Sequence, residues 1–348
     1  MAIWTAEILK EMRRSLLDWY QRAGRTLPWR NEPDIYRVWI SEIMLQQTQV
    51  KTVIPYYERW LEQFPTVKTL AAADLQTVLK QWEGLGYYAR ARNLHQAAQQ
   101  VVTDFGGQFP EDLESILRLK GIGRTTAGGI LSSARNLPLA ILDGNVKRVL
   151  ARLIALEVPP AKALDVLWDI SETLLDPKNP RDFNQALMDL GATLCTVKQP
   201  DCPHCPWRNH CQAYLNHQPT AFPRKAPKKQ IPTKKLVAAI AFNLENQVFI
   251  QQRPQDGLLG GLWEFPNREG EIKSLLIQLF PDAQYERSLN TVFHAYTHFK
   301  IELEPRIYRV NLSGSGWVSL QSLKDYPFSK AHLKIIEQLQ DPQLSLPL

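Results

Sequence analysis

The stretch LKGIGRTTA (residues 119–127) joins two segments of helical periodicity through a turn that contains two glycines. Glycine lets a backbone approach another surface closely, and the amides that open the second helix would face outward with the helix dipole behind them. We therefore expect an anion site here. Two interpretations stay open at this point, a helix-hairpin-helix that grips one DNA phosphate and an ordinary turn between two helices.

The surrounding sequence predicts an all-α domain. Leucine, alanine and tryptophan recur at helical spacing and alternating runs are few, so residues 1–216 are predicted to be helical. Residues 217–235 then hold four prolines, six lysines or arginines and no acid. Because such a composition cannot bury a core, we interpret this segment as an extended basic linker.

Residues 236–348 change character and are predicted to form a second, α+β domain. Two helical patterns lie at residues 272–280 and 331–339. The strand-like runs are LVAAIAF (236–242), VFIQQR (248–253), HFKIEL (298–303) and RIYRV (306–310).

Length and composition narrow the class of protein. A chain of 348 residues that is 44% hydrophobic is long enough for two domains with cores, which excludes a disordered tail protein. No stretch approaches the ~20 apolar residues of a spanning helix, and charges near the first residues argue against a signal peptide. We therefore expect a cytoplasmic protein. The formal charge of +6 suits a polyanionic partner but is too small to identify one.

All four cysteines of the chain lie in one short segment. They are Cys195, Cys202, Cys205 and Cys211, spaced C-x6-C-x2-C-x5-C. Clustering in a cytosolic protein favours a metal site over disulfides. Three interpretations remain open, which are structural zinc, a [4Fe-4S] cluster and four unrelated thiols. A single C-x2-C pair flanked by wider gaps favours the [4Fe-4S] cluster. His204 and His210 are interpreted as solvent or phosphate contacts, because four thiolates already fill the site.

The segment ILDGNVKRV (141–149) places Asp143 directly before a helical run. The ordinary role of an aspartate there is to cap the helix N-terminus. The functional alternative is an anion held near the hairpin, where it would stabilise a developing cation. Lys147 and Arg148 add positive charge on the helix that follows.

The segment ISEIMLQQTQ (40–49) sets one carboxylate, Glu42, among apolar side chains. Partial burial would raise its pKa and let it donate a proton near neutral pH. The alternative is a solvated helix face. The amide and hydroxyl run at its end, Gln46, Gln47 and Thr48, has the donor and acceptor types that read base edges.

The segment GLGYYARAR (84–92) combines two glycines, two tyrosines and two arginines. Side chains on a glycine turn can act as wedges that open a duplex, and arginines behind them can bind phosphates. The alternative is a helix N-terminus with buried tyrosines.

In their order along the chain, these segments and the cysteines resemble the helix-hairpin-helix DNA glycosylases of the endonuclease III superfamily, and within it the MutY-type, adenine-specific branch. The resemblance runs unbroken from about residue 8 to 215 and continues into the second domain. It implies an all-α glycosylase domain with a [4Fe-4S] loop at residues 195–211, followed by a smaller α+β domain.

The resemblance assigns catalysis to Glu42, Asp143 and Asn145. Glu42 is implied to protonate the extruded adenine as a general acid and later to activate water as a general base. Asp143, supported by Asn145, is implied to stabilise the sugar oxocarbenium. The chemistry agrees, since adenine is a poor leaving group until its ring is protonated and the cation needs a fixed carboxylate.

The resemblance also implies DNA contacts, some in the opened base stack and some in the phosphate-binding hairpin. The implied residues are Gln46, Gln47, Thr48, Leu85, Tyr87, Gly121, Gly123, Arg124 and Thr125. Thr125 stands where strand-cutting relatives carry a lysine whose amine attacks the sugar. The resemblance therefore implies a monofunctional enzyme that leaves an abasic site. Lys120 replaces the proline usual in this hairpin, which changes a turn residue but no catalytic group.

The second domain resembles a Nudix fold through QRP (252–254) and GGLWEFP (260–266). The glutamate set that holds magnesium in Nudix hydrolases is missing, because residues 272–281 contain no acid. The domain is therefore expected to bind without hydrolysing. Its loop at Tyr296, Thr297 and His298 matches the family's sensor of 8-oxoguanine opposite the adenine.

The sequence thus predicts a monomeric, DNA-associated base excision repair enzyme that removes adenine mispaired with 8-oxoguanine or guanine in double-stranded DNA. Three other functions are weighed against this prediction. They are a bifunctional pyrimidine-damage glycosylase, a non-catalytic DNA-binding scaffold whose metal site is only structural, and a nucleotide pyrophosphatase. Thr125 and the second domain argue against the first. The missing glutamate set argues against the last.

Overall fold

The structure is a computed structural model of the chain. It describes residues 4–31, 34–227 and 230–341. Lys228 and Lys229 of the predicted linker, and residues 342–348 of the predicted second domain, lie outside the described residues. Within the described ranges, no helix combines the length and apolarity that crossing a membrane requires.

Contacts between residues divide the chain into two compact units. The first unit holds residues 4–71 and 96–227. The second holds residues 72–95 and 230–341. This division differs from the predicted domains in one respect, because the segment 72–95 packs with the α+β half of the chain.

Every regular element that the structure describes before residue 217 is a helix, which confirms the predicted fold class. Its helices are α1 (Ala6–Ala23), α2 (Pro28–Asn31), α3 (Ile35–Leu45), α4 (Val50–Gln63), α5 (Val67–Ala72), α6 (Leu75–Gln81), α7 (Ala89–Asp104), α8 (Leu113–Leu117), α9 (Arg124–Arg135), α10 (Gly144–Leu153), α11 (Leu164–Leu174), α12 (Pro180–Asp189) and α13 (Gln212–Leu215). Short helical turns lie at Pro160–Lys162, Leu190–Leu194, Cys202–His204 and Pro219–Ala221.

Helix α10 shows how the apolar pattern fixes the first unit. Val146, Val149, Leu150 and Leu153 recur one turn apart and are all buried, so this face packs against α11 and α12. Burying an aliphatic side chain of this size stabilises the fold by about 1.5–3 kcal/mol. The packing holds the start of α10, and Asp143 with it, in a defined place.

The described part of the predicted linker is not extended throughout. Arg152 donates from Nε to the carbonyl oxygen of Phe222 at 3.0 Å, and Arg224 pairs with Glu157 at 2.8 Å. Residues up to this point therefore pack on the first unit. The first strand already begins at Thr233.

The rest of the second unit combines strands with two helices, as predicted. The strands are β1 (Thr233–Phe242), β2 (Val248–Phe249), β3 (Gln251–Gln252), β4 (Trp263–Glu264), β5 (Asn267–Glu269), β6 (Gln284–Ser288), β7 (Val292–Ala295), β8 (Lys300–Arg309) and β9 (Trp317–Val318). The helices are α14 (Lys273–Leu279) and α15 (Lys330–Gln340). The main sheet runs β6-β8-β1-β2-β9, with β5 paired to β1 and β7 paired to β8, while β3 and β4 form a separate pair.

Strand β1 is the centre of this unit because both of its faces are buried. Ala238, Ile240 and Phe242 face one core cluster, whereas Val237 and Ala239 face the other. An uninterrupted apolar run such as LVAAIAF is typical of a strand covered on both sides. Its parallel partner is β8, with Thr233 opposite Lys300 and Phe242 opposite Arg309.

Two predicted strand assignments were wrong in detail. HFKIEL and RIYRV are one strand, β8, which passes through Pro305. Pro305 lies where the antiparallel neighbour changes from β7 to β6, so its missing N–H interrupts neither pairing. VFIQQR is two strands, because β2 pairs with the main sheet while β3 pairs with β4.

Candidate active site

A cavity of about 710 Å³ opens in the first unit and collects the predicted catalytic residues. Glu42, Asp143 and Asn145 all line it, although Glu42 is about a hundred positions from the other two in the chain. Its other lining residues include Arg25, Leu27, Trp29, Arg30, Val38, Ser41, Gln47, Thr48, Ser133, Arg148, Gln185 and Gly191. A volume of this order suits a small-molecule or nucleobase ligand.

Glu42 lies on the third turn of α3 with only part of its surface exposed, at the cavity wall. The backbone of α9 passes so close that a Cβ at Gly129 would lie 2.6 Å from its Oε2. Burial, aided by the charge of Asp143 and opposed by that of Arg30, raises the pKa of Glu42 to about 7. Such a carboxyl exchanges protons near neutral pH, which is the requirement for a general acid.

Asp143 is the N-cap of α10, as predicted, and it also lies on the cavity wall. It caps α10 by accepting a hydrogen bond from the backbone N–H of Val146 at 2.7 Å, and it lines the cavity. The cap uses Oδ1, whereas Oδ2 receives only a 3.4 Å contact from the Asn145 amide. Burial raises the pKa of Asp143, while the hydrogen bonds from Val146 and Asn145 oppose that effect. The result is a carboxylate held rigidly against the helix N-terminus.

Asn145 is itself held in place by Arg148. The Arg148 guanidinium donates to Asn145 Oδ1 at 2.9 Å and to the carbonyl oxygens of Gly191 and Cys195 at 2.6 and 2.8 Å. The Asn145 oxygen is thereby occupied, and its amide nitrogen is directed to Asp143. This chain of contacts fixes both side chains on the cavity wall.

Several cavity residues are not indicated by any sequence motif, among them Arg30 on α2 and Gln185 on α12. Arg30 makes a two-pronged ion pair with the buried Asp189, with both nitrogen–oxygen distances at 2.9 Å. Gln185 accepts a hydrogen bond from the Tyr20 hydroxyl at 2.8 Å through Oε1. Polar residues do stand out in LPWRN (27–31) and FNQALMD (183–189), but neither segment forms a motif that indicates a site.

The polar run after α3 divides between two environments. Gln47 and Thr48 line the cavity, and Gln47 has a left-handed backbone with φ of 57°. Gln46 instead donates from Nε2 to the Thr126 hydroxyl at 3.2 Å. Gln46 is therefore placed by α9 rather than on the cavity wall.

The hairpin has the geometry that its glycines predict. Gly121 has a φ of +79°, and Gly123 is the N-cap residue of α9, where an added Cβ would meet open space. The side chain of Arg124 pairs with Glu172 and stacks over the Trp168 ring at 4.0 Å. Thr125 donates from its hydroxyl to the carbonyl oxygen of Leu142 at 3.3 Å, and its side chain carries no amine.

All four cysteines line one small cavity beside α10. Arg152 crosses this loop, donating to Cys195 Sγ at 3.2 Å and to the Thr196 carbonyl oxygen at 2.6 Å. Burial raises the pKa of Cys205 to about 12 and that of Cys211 to about 11. Among the residues that the structure describes, no group of three or more His, Cys, Asp or Glu side chains has the arrangement of a single-ion site.

The turn at 84–88 belongs to the second unit, where Tyr88 donates to the Phe328 carbonyl oxygen at 3.2 Å. Leu85 is only 7% exposed, whereas Tyr87 is 44% exposed and has a φ of 51°. Tyr87 is therefore the side chain of this turn that faces outward. Arg90, expected to bind phosphate, lies over the rings of Trp82 and Tyr87, at 5.1 and 5.4 Å.

The same unit places the predicted lesion-sensing loop against this turn. The hydroxyls of Tyr87 and Thr297 are 3.0 Å apart. Thr297 and His298 are exposed, but Tyr296 is half-buried beside the rings of His294 and Phe299, at 4.7 and 5.0 Å. Of the three predicted loop residues, Thr297 and His298 are the ones available to a ligand.

Comparison with known proteins identifies both parts of the chain. Residues 40–167 match the HhH-GPD superfamily base excision DNA repair proteins, and residues 237–338 match the NUDIX domain. The adenine DNA glycosylase of Homo sapiens is 35% identical over 409 aligned positions, covering 95% of this chain and 74% of the human protein. That of Buchnera aphidicola subsp. Baizongia pistaciae (strain Bp) is 38% identical over 295 positions, covering 84% of each chain.

A solved structure supports the same relationship for the first part of the chain. The thermostable thymine-DNA glycosylase superimposes with a TM-score of 0.56 at 27% identity, covering 60% of this chain and 98% of its own.

Proposed function

The chain belongs to the adenine DNA glycosylase family, and on that premise we propose that it hydrolyses the N-glycosidic bond of adenine mispaired with 8-oxoguanine or guanine. Adenine release of this kind is a step of base excision repair. The observation that carries the proposal is one cavity that holds a carboxyl with a pKa near 7 beside a second carboxylate fixed at a helix N-terminus. Two carboxyls in unlike environments can do unlike work.

Glu42 delivers the proton that makes adenine a leaving group. Near neutral pH a substantial share of Glu42 is protonated, so it can donate to a ring nitrogen of the extruded base. The bond between sugar C1′ and adenine N9 then breaks, and its electron pair leaves with the base. The Glu42 carboxylate that remains accepts a proton from the water that adds to C1′.

Asp143 stabilises the positive sugar that is left when adenine departs. Asp143 lines the cavity and its Oδ2 receives a long amide contact, so a negative charge is available to the oxocarbenium. Because the cap and the Arg148–Asn145 contacts already hold this group, little reorganisation is needed during the reaction.

Gln185 and Trp29 give the cavity its preference for adenine. The Gln185 oxygen is occupied by Tyr20, which leaves the amide N–H groups to donate to acceptor nitrogens of the base. Glutamine amides suit the hydrogen-bonding edges of adenine. The Trp29 ring lines the same cavity and provides a flat apolar wall for a purine.

The base opposite adenine is read by the second unit. Tyr87, Thr297 and His298 are exposed and lie on two adjoining segments, so they form one polar surface. Their hydroxyl and imidazole groups can tell 8-oxoguanine from guanine through the N7–H and O8 atoms that only the oxidised base carries.

Cys195, Cys202, Cys205 and Cys211 would hold a [4Fe-4S] cluster. The support is that all four line one cavity and that burial raises the pKa of the Cys205 and Cys211 thiols, an effect that a bound cation would offset. When bound, the cluster would cross-link the loop after α12. Protein purified without oxygen is expected to be brown and to contain about four iron and four sulfide per chain. Stoichiometric zinc without sulfide would contradict this assignment.

A duplex that carries one A·8-oxoguanine pair tests the proposed function. Single-turnover incubation is expected to release free adenine and to leave a strand that breaks only after alkali. Because Thr125 has no amine, borohydride should trap no covalent adduct. A C·8-oxoguanine duplex is the control and should stay intact. Strand breaks without alkali would refute the monofunctional assignment. Absence of adenine release would refute the activity itself.

A further inference from the structure

Asp189, the last residue of α12, is a fully buried carboxylate held by two arginines. Arg25 donates to it from the backbone N–H at 2.9 Å and from Nε at 2.8 Å, and Arg30 donates from both Nη atoms at 2.9 Å. Burial acts to raise the pKa of Asp189, but these hydrogen bonds outweigh it and lower the pKa. The carboxylate is therefore charged, as a buried anion with this many donors must be.

The same contacts immobilise Arg30. Its Nη1 donates both to Asp189 and to the carbonyl oxygen of Arg25 at 2.9 Å, while its Nη2 donates to Asp189. Its side chain is only 10% exposed, and it lines the cavity together with Glu42. A planar guanidinium held by a two-pronged pair has little freedom to turn toward a second carboxylate.

The charged groups around Glu42 belong to α10 with its N-cap, to α2, and to the segment just before α2. Asp143 faces it from the start of α10 and Arg30 from α2, and Arg25 and Arg148 also line the cavity. Helix α9, which packs against α3, contributes the uncharged Gly129 and Ser133. Asp189 is therefore the ion-pair partner of the cation whose charge lowers the pKa of the general acid.

We propose that Asp189 is a positioning residue for the glycosylase reaction, which holds Arg30 in an ion pair and so prevents it from pairing with Glu42. Because Arg30 is held in this way, a substantial share of Glu42 stays protonated at neutral pH. Without Asp189, the free guanidinium would pair with the Glu42 carboxylate and remove the proton donor. This inference rests on the proposed role of Glu42 as general acid.

The test is the pH profile of single-turnover adenine release by the full-length Asp189→Asn variant. An opposite charge at contact distance lowers a carboxyl pKa by about 1–3 units. We therefore expect the alkaline limb of the profile to move down by about 1–2 units, with a rate loss of about 10–100-fold at pH 8 and little loss at pH 5.5. Asp165→Asn, on the exposed start of α11, is the matched control and should leave the profile unchanged.

The double variant Arg30→Gln/Asp189→Asn separates positioning from folding. Removing the released cation should return the alkaline limb to the wild-type position or above it, whereas a purely structural role for Asp189 predicts a further loss. Arg30→Gln alone should move the limb upward, because Arg30 lowers the pKa of Glu42 even when it is held. If Asp189→Asn does not fold, the double variant is compared with Arg30→Gln, and equal profiles are expected because Asp189 acts through Arg30. An equal loss for Asp189→Asn at every pH would overturn the inference. A wild-type profile without an alkaline limb would instead remove the general-acid role itself.

Discussion

Glu42→Gln is expected to slow adenine release by about 10²–10⁴-fold, the usual contribution of a general acid or base. Glutamine keeps the size of the side chain and its place between α3 and α9 but has no proton to give. Single-turnover rates on the A·8-oxoguanine duplex measure the effect. Glu62→Gln, on the exposed face of α4, is the matched control and should retain the wild-type rate.

The stability of this variant distinguishes lost chemistry from lost structure. Because the folded-state pKa of Glu42 is raised to about 7, the folded protein binds this proton more tightly than the unfolded chain does. The free energy of unfolding therefore falls as the pH rises from about 4.5 to 7, and above that window the charged Glu42 carboxylate destabilises the folded state. Glutamine removes this penalty, so the Tm at pH 8 should rise by roughly 2–4 °C for each kcal/mol relieved. A large fall in Tm would attribute the lost activity to unfolding.

Asp143→Asn is expected to reduce the rate of adenine release by about 10²–10³-fold while leaving the fold intact. Asparagine caps helices as well as aspartate does, so α10 should keep its N-terminus. What disappears is the negative charge beside the forming oxocarbenium. Loss of that charge should also lower the pKa of Glu42, since Asp143 contributes to raising it. The alkaline limb of the profile should therefore move to lower pH.

Two further variants control for the cap. Asp34→Asn changes the N-cap of α3, where the side chain accepts from the Arg37 N–H at 2.9 Å, and should be fully active. Asp143→Ala removes both the cap and the charge, so it should lose an additional ~1 kcal/mol of stability relative to Asp143→Asn. An Asp143→Asn protein with wild-type activity would show that capping is the whole role of this residue.

The sequence was informative where chemistry lies in a contiguous segment. Glu42 and Asp143 were each located from their neighbours, an apolar helix face in one case and a helix start in the other. The structure brings both into one cavity, although the roles assigned to them stay predictions. The same holds for the cysteines, whose spacing is visible without coordinates.

Residues that act through tertiary contacts could not be located in this way. Arg30 and Asp189 are 159 positions apart and belong to no motif, so their ion pair exists only once α2 and α12 are packed. Gln185 is one of three buried polar residues of α12, with Asn184 and Asp189, and its side-chain oxygen is held by the Tyr20 hydroxyl. Periodicity predicts which face is buried, but it does not predict which polar groups meet there.

The turn at 84–88 shows a similar limit. Its composition indicated a tip with aromatic or aliphatic side chains, but not which of Leu85 and Tyr87 faces outward. Tyr87 has a left-handed backbone and is 44% exposed, and contacts within the second unit set the turn beside Thr297. Such a grouping of residues 210 positions apart is not encoded in any local pattern.

The dependence of the wild-type single-turnover rate on pH tests the central claim most directly, because a single turnover excludes product release from the measured rate. With Glu42 as the proton donor, the rate should be level at low pH and fall about tenfold per pH unit above about 7, the pKa of this side chain. The Glu42→Gln protein should be slow and lack this limb. A wild-type rate that stays constant from pH 7 to 9 would contradict the account.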